Sequence, residues 1–115
     1  MWGDGLVIST ALGSVSRSMV LNGPIIHKKI ESLILTPICA LSLKFRPIVL
    51  PMDANLIIKI EETSRAQGTV YIDGINSKMF IEPGEKIIIR KSDVSTVMVS
   101  DLNGSYEKTL FENLQ

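Results

Sequence analysis

The stretch Asp4-Gly5-Leu6-Val7-Ile8-Ser9-Thr10-Ala11-Leu12-Gly13-Ser14 gathers the groups best suited to meet a polar ligand. A carboxylate opens it, an apolar run follows, and hydroxyl and small residues close it before a glycine. That order reads as a strand leading through a tight turn into a helix start. Backbone N–H groups without intrahelical partners at such a start face anions or polar ligand atoms. The same residues admit a structural reading, with Gly13 as a turn residue and Ser14 as an N-cap. Further along, Arg46 stands between Phe45 and Pro47, where it can hold a phosphate or a main-chain carbonyl. Cys39 and His27 are the only residues of their kinds, which removes intrachain disulfides and any Cys/His zinc cluster. Cys39 reads as a small buried hydrophobe. With no second histidine or basic neighbour to lower its pKa, it is not read as a nucleophile. His27 reads as a capping or surface residue.

The elements that must position these groups are mostly strands. Short β-branched runs alternate with Gly, Pro, Asn and Asp, which predicts strands near Leu6–Thr10, Leu33–Pro37, Ile48–Leu50, Leu56–Glu61, Thr69–Ile72, Lys78–Ile81, Lys86–Arg90 and Thr96–Ser100. Gly13–Leu21 and Tyr106–Leu114 read instead as short helices, the first ended by Asn22-Gly23-Pro24. Asp73-Gly74 between apolar runs is a hairpin signal, and Pro83-Gly84 and Leu102-Asn103-Gly104 mark further turns. The expected fold is mainly β: a Greek-key-like β-sandwich, or an open barrel, of about eight short strands with one or two short helices.

At 115 residues the chain suits one compact domain, and 45% hydrophobic against 21% charged residues belongs to a folded chain. Twelve basic residues balance twelve acidic ones, so no large field exists to hold a nucleic-acid backbone or an anionic membrane surface. The pairs Lys28-Lys29 and Arg90-Lys91 read as solvated element ends. The longest apolar stretch, Leu33 to Leu43, is broken by Thr36-Pro37 and falls short of the ~20 residues a spanning helix needs. Asp4 stands where a signal peptide would place positive charge. A cytoplasmic location is therefore expected.

Five blocks occur in order over the first half of the chain: Gly3-Asp4-Gly5; Thr10-Ala11-Leu12-Gly13-Ser14-Val15-Ser16-Arg17; Asn22-Gly23-Pro24-Ile25-Ile26-His27; Leu35-Thr36-Pro37-Ile38-Cys39; and Phe45-Arg46-Pro47-Ile48-Val49-Leu50-Pro51. In order and spacing they resemble the NAD kinase family, in its C-terminal, NAD-binding domain. Val70-Tyr71-Ile72-Asp73-Gly74 and Pro83-Gly84-Glu85 fit that family's later hairpin and turn more loosely. The resemblance implies a domain, residues 1–115, that holds NAD, while a separate N-terminal domain, missing here, presents ATP and a divalent metal. It implies that Asp4 accepts from the nicotinamide amide, that Cys39 lies beside the nicotinamide, and that Thr10 and the segment Gly13, Ser14, Val15, Ser16 and Arg17 line adenine and ribose. It also places His27 and Arg46 near the substrate crevice or a subunit contact, in a homo-oligomer.

The departures from the pattern are specific. The family's Thr-Ala-Tyr reads Val15-Ser16-Arg17, its second loop threonine is Leu12, and its glycine pair is Asn22-Gly23. Arg17 can stack on a purine in place of the lost ring. Its Gly-Gly-Asp-Gly loop, the source of the catalytic aspartate, does not occur, so no catalytic residue is assigned. The expected function is the NAD-binding half of an enzyme that transfers a phosphoryl group from ATP to the adenosine 2′-hydroxyl of NAD, giving NADP, with these residues inactive alone. The alternative is a non-catalytic structural or oligomerising module descended from that domain. The β domain of a related lipid kinase fits less well, because those chains lack the Thr-Pro-Ile-Cys and Phe-Arg-Pro blocks together.

Overall fold

A computed structural model describes residues 3–42, 44–74 and 77–97. These residues fall into two compact units, 3–52 with 92–97, and Asp53–Lys91. The predicted helix at Tyr106–Leu114, the turn at Leu102–Gly104, Trp2 and most of the strand at Thr96–Ser100 lie outside the described residues.

The first unit is built on β1 (Gly5–Thr10), β2 (Ser32–Ile38) and β3 (Ile48–Pro51), an antiparallel sheet in the order β1-β2-β3. Each strand matches its predicted run to within two residues. β2 is the central strand because its apolar run can be covered on both faces: Leu33 and Ile34 are buried, Ile34 completely. Burying an isoleucine side chain stabilises by roughly 1.5–3 kcal/mol, so this strand anchors the unit. Register pairs Gly5 with Ile38 at one end of β1 and Thr10 with Leu33 at the other. Side chains alternate across a strand, so Val7, Ser9, Ile34 and Thr36 share one face of the sheet.

The predicted helix over Gly13–Leu21 is instead two short pieces, a 3₁₀ turn at Leu12–Val15 and one α-turn, α1, at Arg17–Val20. Ser16 separates them at φ −110°, ψ −128°, far from helical values. The amides expected to point at a ligand are largely consumed by tight turns. Ser14 N–H donates to Ala11 O at 3.1 Å, Ser16 N–H to Gly13 O at 3.2 Å and Met19 N–H to Ser16 O at 3.1 Å. Ser14 does not cap; the N-cap is Ala11, with no side-chain capping bond.

α1 ends in a Schellman motif. Asn22 N–H donates to Met19 O at 2.9 Å and Gly23 N–H to Ser18 O at 2.8 Å, with Asn22 at φ 59°. Asparagine is among the few residues besides glycine that accept this left-handed conformation at low cost, which explains why it can replace a glycine here.

The second unit contains β4 (Leu56–Lys59), β5 (Gly68–Val70), β6 (Met79–Ile81) and β7 (Lys86–Ile89). β4 pairs with β7, and β5 with β6, both antiparallel. Asp73-Gly74 makes the predicted reversal between β5 and β6, both residues at positive φ, and Ser77 Oγ accepts the Ile72 N–H at 2.9 Å to hold it. Glu82-Pro83-Gly84-Glu85 is a turn closed by Glu85 N–H donating to Glu82 O at 3.1 Å, with Gly84 at φ 91°, the geometry that proline followed by glycine favours. The chain is thus mainly β, with seven strands among the described residues.

Candidate functional site

Every residue singled out for ligand contact lies in the first unit, distributed along β1. Its N-terminal end carries Asp4 and Cys39. Asp4 N–H donates to Ile38 O at 2.9 Å, extending the β1–β2 ladder by one step, so Asp4 and Cys39 emerge from adjacent strands at the same edge. Both are exposed. Cys39 is therefore not the buried filler its residue type suggests; it turns out of β2 at φ 47°. Gly3 allows the approach, since a Cβ there would stand 3.0 Å from Ile38 O and 3.2 Å from the Ala40 Cα.

The other end of β1 carries Thr10, from which the segment to Arg17 turns back over the sheet, with Gly13 against Ser9 and Ser18, the residue after Arg17, beside Thr36. Thr10, Ser16 and Arg17 are exposed, Gly13 and Val15 half-buried. Ser14 is wholly buried, and its hydroxyl is already committed: it accepts the Ile26 N–H at 3.0 Å and donates to Ile26 O at 3.3 Å. Ser14 thus pins the segment after α1 to the 3₁₀ turn. Asp4 and Thr10 are six residue steps apart along the strand, about 20 Å at ~3.3 Å each.

The loop is held down by groups that residue spacing alone did not single out. Ser18 Oγ and Thr36 Oγ1 are 2.7 Å apart and fully buried, tying α1 to β2. Gly23 lies against this pair so closely that a Cβ would collide with Ser18 Oγ and stand 2.7 Å from Ser18 O and 2.9 Å from Thr36 Oγ1. A hydroxyl inside an apolar strand run, as at Thr36, is the sequence signal for such a partner, because a buried hydroxyl left unpaired costs about 1–3 kcal/mol. Ser9 Oγ, beneath Gly13, is buried with no hydrogen-bond partner among the described residues.

Beside the Asp4–Cys39 end lies a cleft of about 200 Å³ lined by Leu21, Asn22, Pro37, Ala40, Ser42, Phe45, Arg46 and Pro47. Three of the sequence blocks, those holding Asn22, Pro37 and Phe45-Arg46-Pro47, therefore converge on one hollow, to which Asn22, Ser42 and Arg46 bring polar side chains. The volume suits one end of a ligand and not a whole dinucleotide, since full ligand pockets run to roughly 300–1,000 Å³. His27 Nδ1 accepts the Lys29 N–H at 3.3 Å and its carbonyl accepts the Ile30 N–H at 2.9 Å, so it organises a turn. A wider hollow in the second unit, beside Lys59, Ile81 and Lys86, contains none of the predicted residues, and Lys59 there is paired with Glu62 at 3.0 Å.

Residues 1–100 match the model of the ATP-NAD kinase C-terminal domain. The chain belongs to the ATP-NAD kinase family. It is 40% identical over 113 residues to NAD kinase 1 of Prochlorococcus marinus (strain NATL2A), covering 97% of this chain and 37% of that protein. It is 34% identical to the NAD kinase of Ralstonia nicotianae, covering 96% of this chain and 36% of that one. Among solved structures it is similar to yeast NADH kinase complexed with NADH, with a TM-score of 0.66 and 32% identity over 75% of this chain and 24% of that one. The chain thus spans little more than a third of the length of these two bacterial relatives.

The packing at Gly23 gives a direct test. Gly23→Ala is expected to lower stability by about 1–3 kcal/mol in denaturant unfolding, the usual cost of overpacking, whereas Asn22→Gly leaves it within about 0.5 kcal/mol. Equal stability of Gly23→Ala and the parent chain would contradict the close packing of α1 on β2.

Proposed function

We propose that these residues form the NAD-binding half of an NAD kinase, with the dinucleotide laid along β1. The observation that carries this reading is the presence of two polar ends on one family-matched strand. Asp4 and Cys39 emerge together at one end, and Thr10, which opens the segment to Arg17, lies about 20 Å away at the other. The nicotinamide goes to the first end, where the Asp4 carboxylate accepts from the carboxamide NH₂ and Cys39 lies beside the ring. Adenine and its ribose go to the second. There Thr10, Ser16 and Arg17 offer exposed polar groups, Gly13 and Val15 supply loop surface, and Ser14 acts by holding the loop.

In the proposed reaction the adenosine 2′-oxygen of NAD bonds to the γ-phosphorus of ATP as the bond to ADP breaks, and the hydroxyl proton passes to a base. Positioning and charge neutralisation provide most of the acceleration for such a transfer. Among the described residues no three His, Cys, Asp or Glu side chains converge to hold a metal ion. From the family resemblance, base, ATP and divalent metal are assigned to an N-terminal domain, and these residues alone are expected to form no NADP. A cytoplasmic enzyme is proposed from the cysteine usage, and no helix among the described residues is long and apolar enough to cross a membrane.

Homo-oligomerisation forms part of the proposal. On one face of the β4–β7 ladder Ile57 and Ile88 stand directly opposite each other at 66% and 59% exposure, and Phe80 on β6 is 58% exposed. Side chains of this size left open favour a covering partner. These surfaces, together with Leu12, Val15 and Arg17, also sustain the second reading, a non-catalytic oligomerising module.

Calorimetric titration separates the two. NAD is expected to bind the chain, and Asp4→Ala to weaken NAD by about tenfold while leaving ADP-ribose unchanged, the loss of one charge-assisted hydrogen bond. No binding of NAD at millimolar concentration would leave the module reading standing. For the assembly, sedimentation should show oligomers in the parent chain and smaller species in Ile57→Lys; a parent chain that sediments as a monomer at all concentrations contradicts it.

A further inference from the structure

We infer that the cleft lined by Asn22, Ser42, Phe45 and Arg46 is a second binding site, separate from the residues assigned to the dinucleotide, for a small organic carboxylate with a flat apolar body.

The charge of the lining comes from one residue. Arg46 is exposed, and no ion-pair or hydrogen-bond partner engages it among the described residues. Its guanidinium fork matches the two oxygens of a carboxylate. Lys44 and Arg46 are the only charged residues between Glu31 and Asp53, and no acidic residue occurs between Asp4 and Glu31. The two segments that wall the cleft, one ending at Asn22 and one running from Pro37 to Pro47, therefore bring no carboxylate against an anion.

The neutral groups complete the lining. Ser42 Oγ accepts the Lys44 N–H at 3.3 Å, which leaves its O–H to donate to a ligand. Ser42 O accepts the Phe45 N–H at 3.1 Å, so a tight turn brings Phe45 and Arg46 back beside it. Asn22 is held at φ 59° by the turn that ends α1, and its side-chain amide can donate. Pro37, Phe45 and Pro47 offer rigid carbon surface, and Phe45 is 42% exposed, so the protein covers its ring incompletely.

The ligand class follows from this balance. An inorganic anion would meet Arg46 but leave the carbon walls uncovered, and a neutral aromatic would leave the guanidinium unpaired. At about 200 Å³ the cleft has room for one ring bearing a carboxylate and not for a nucleotide. Neither Asp4, Thr10 and Cys39 nor the Gly13–Arg17 segment is among the lining residues. The carboxylate and the dinucleotide are therefore expected to bind independently, and the chemistry of the cleft does not depend on where NAD binds.

The test follows backbone amide shifts by NMR as the chain is titrated with benzoate, inorganic phosphate and benzyl alcohol at constant ionic strength, with circular dichroism confirming the fold of each variant. Benzoate is expected to saturate with a Kd of about 1 mM, the scale for so few non-hydrogen atoms, and to move Asn22, Ser42, Phe45 and Arg46 together. Phosphate and benzyl alcohol should each bind at least about tenfold more weakly, since each lacks one half of the interaction. Arg46→Gln should weaken benzoate by about tenfold, Arg46→Lys by less, and Lys44→Gln not at all. Saturating NAD should leave the benzoate curve unchanged. The absence of saturable shifts at these residues, a benzoate affinity that survives Arg46→Gln, or phosphate or benzyl alcohol binding as tightly as benzoate overturns the inference. Displacement of benzoate by NAD overturns it too, because the cleft would then be part of the dinucleotide site. If Arg46→Gln fails to fold, the three ligands on the parent chain decide the outcome.

Discussion

A slip of one residue between β1 and β2 would carry Asp4 away from Cys39 and exchange the two faces of β1. The observed register prevents both: Gly5 stands opposite Ile38, Ser9 opposite Ile34 and Thr10 opposite Leu33. The burial of Ile34 and Thr36 under the covering turns makes any other register costly, because the slipped strand would present different side chains to the same cover. One strand pairing therefore fixes how far Asp4 and Thr10 lie from each other and on which edge Asp4 and Cys39 emerge together.

The loop that follows β1 is fixed by a second, smaller constraint. α1 is a single turn, too short to be stable by its own hydrogen bonds, since helix nucleation costs more than one turn returns. It persists because Ser18 reaches Thr36 inside the unit, Asn22 takes the left-handed position, and Gly23 lets the returning chain lie against that hydrogen bond. Ser14 adds a second tie through Ile26. Buried hydroxyls therefore position the exposed residues of this segment.

The strands were legible in the residues because β-branched runs bounded by Gly, Pro, Asn and Asp leave little choice of conformation, and Asp73-Gly74 and Pro83-Gly84 marked their turns for the same reason. The residues of Gly13–Leu21 predict one short helix where the chain makes two separate turns. Apolar spacing cannot report that Ser16 leaves helical space, nor that the tight turns on either side satisfy the amides a longer helix would leave free. Ser14 looked like a cap or a ligand group, yet its partner is twelve residues away, a distance no local pattern encodes. Cys39 looked like core, and its exposure follows from a left-handed residue after β2 that residue type did not announce. The family blocks were visible in order, but only the fold shows that three of them meet around one cleft.

The central claim is that one ligand occupies both ends of β1 at once. Backbone amide chemical shifts followed by NMR during titration of the chain with NAD test it most directly. Simultaneous, saturable changes at Asp4, Cys39 and Ala40 and across Thr10–Arg17, with β4–β7 unmoved, are the predicted result. Changes confined to one end of β1, or centred within Asp53–Lys91, would contradict it.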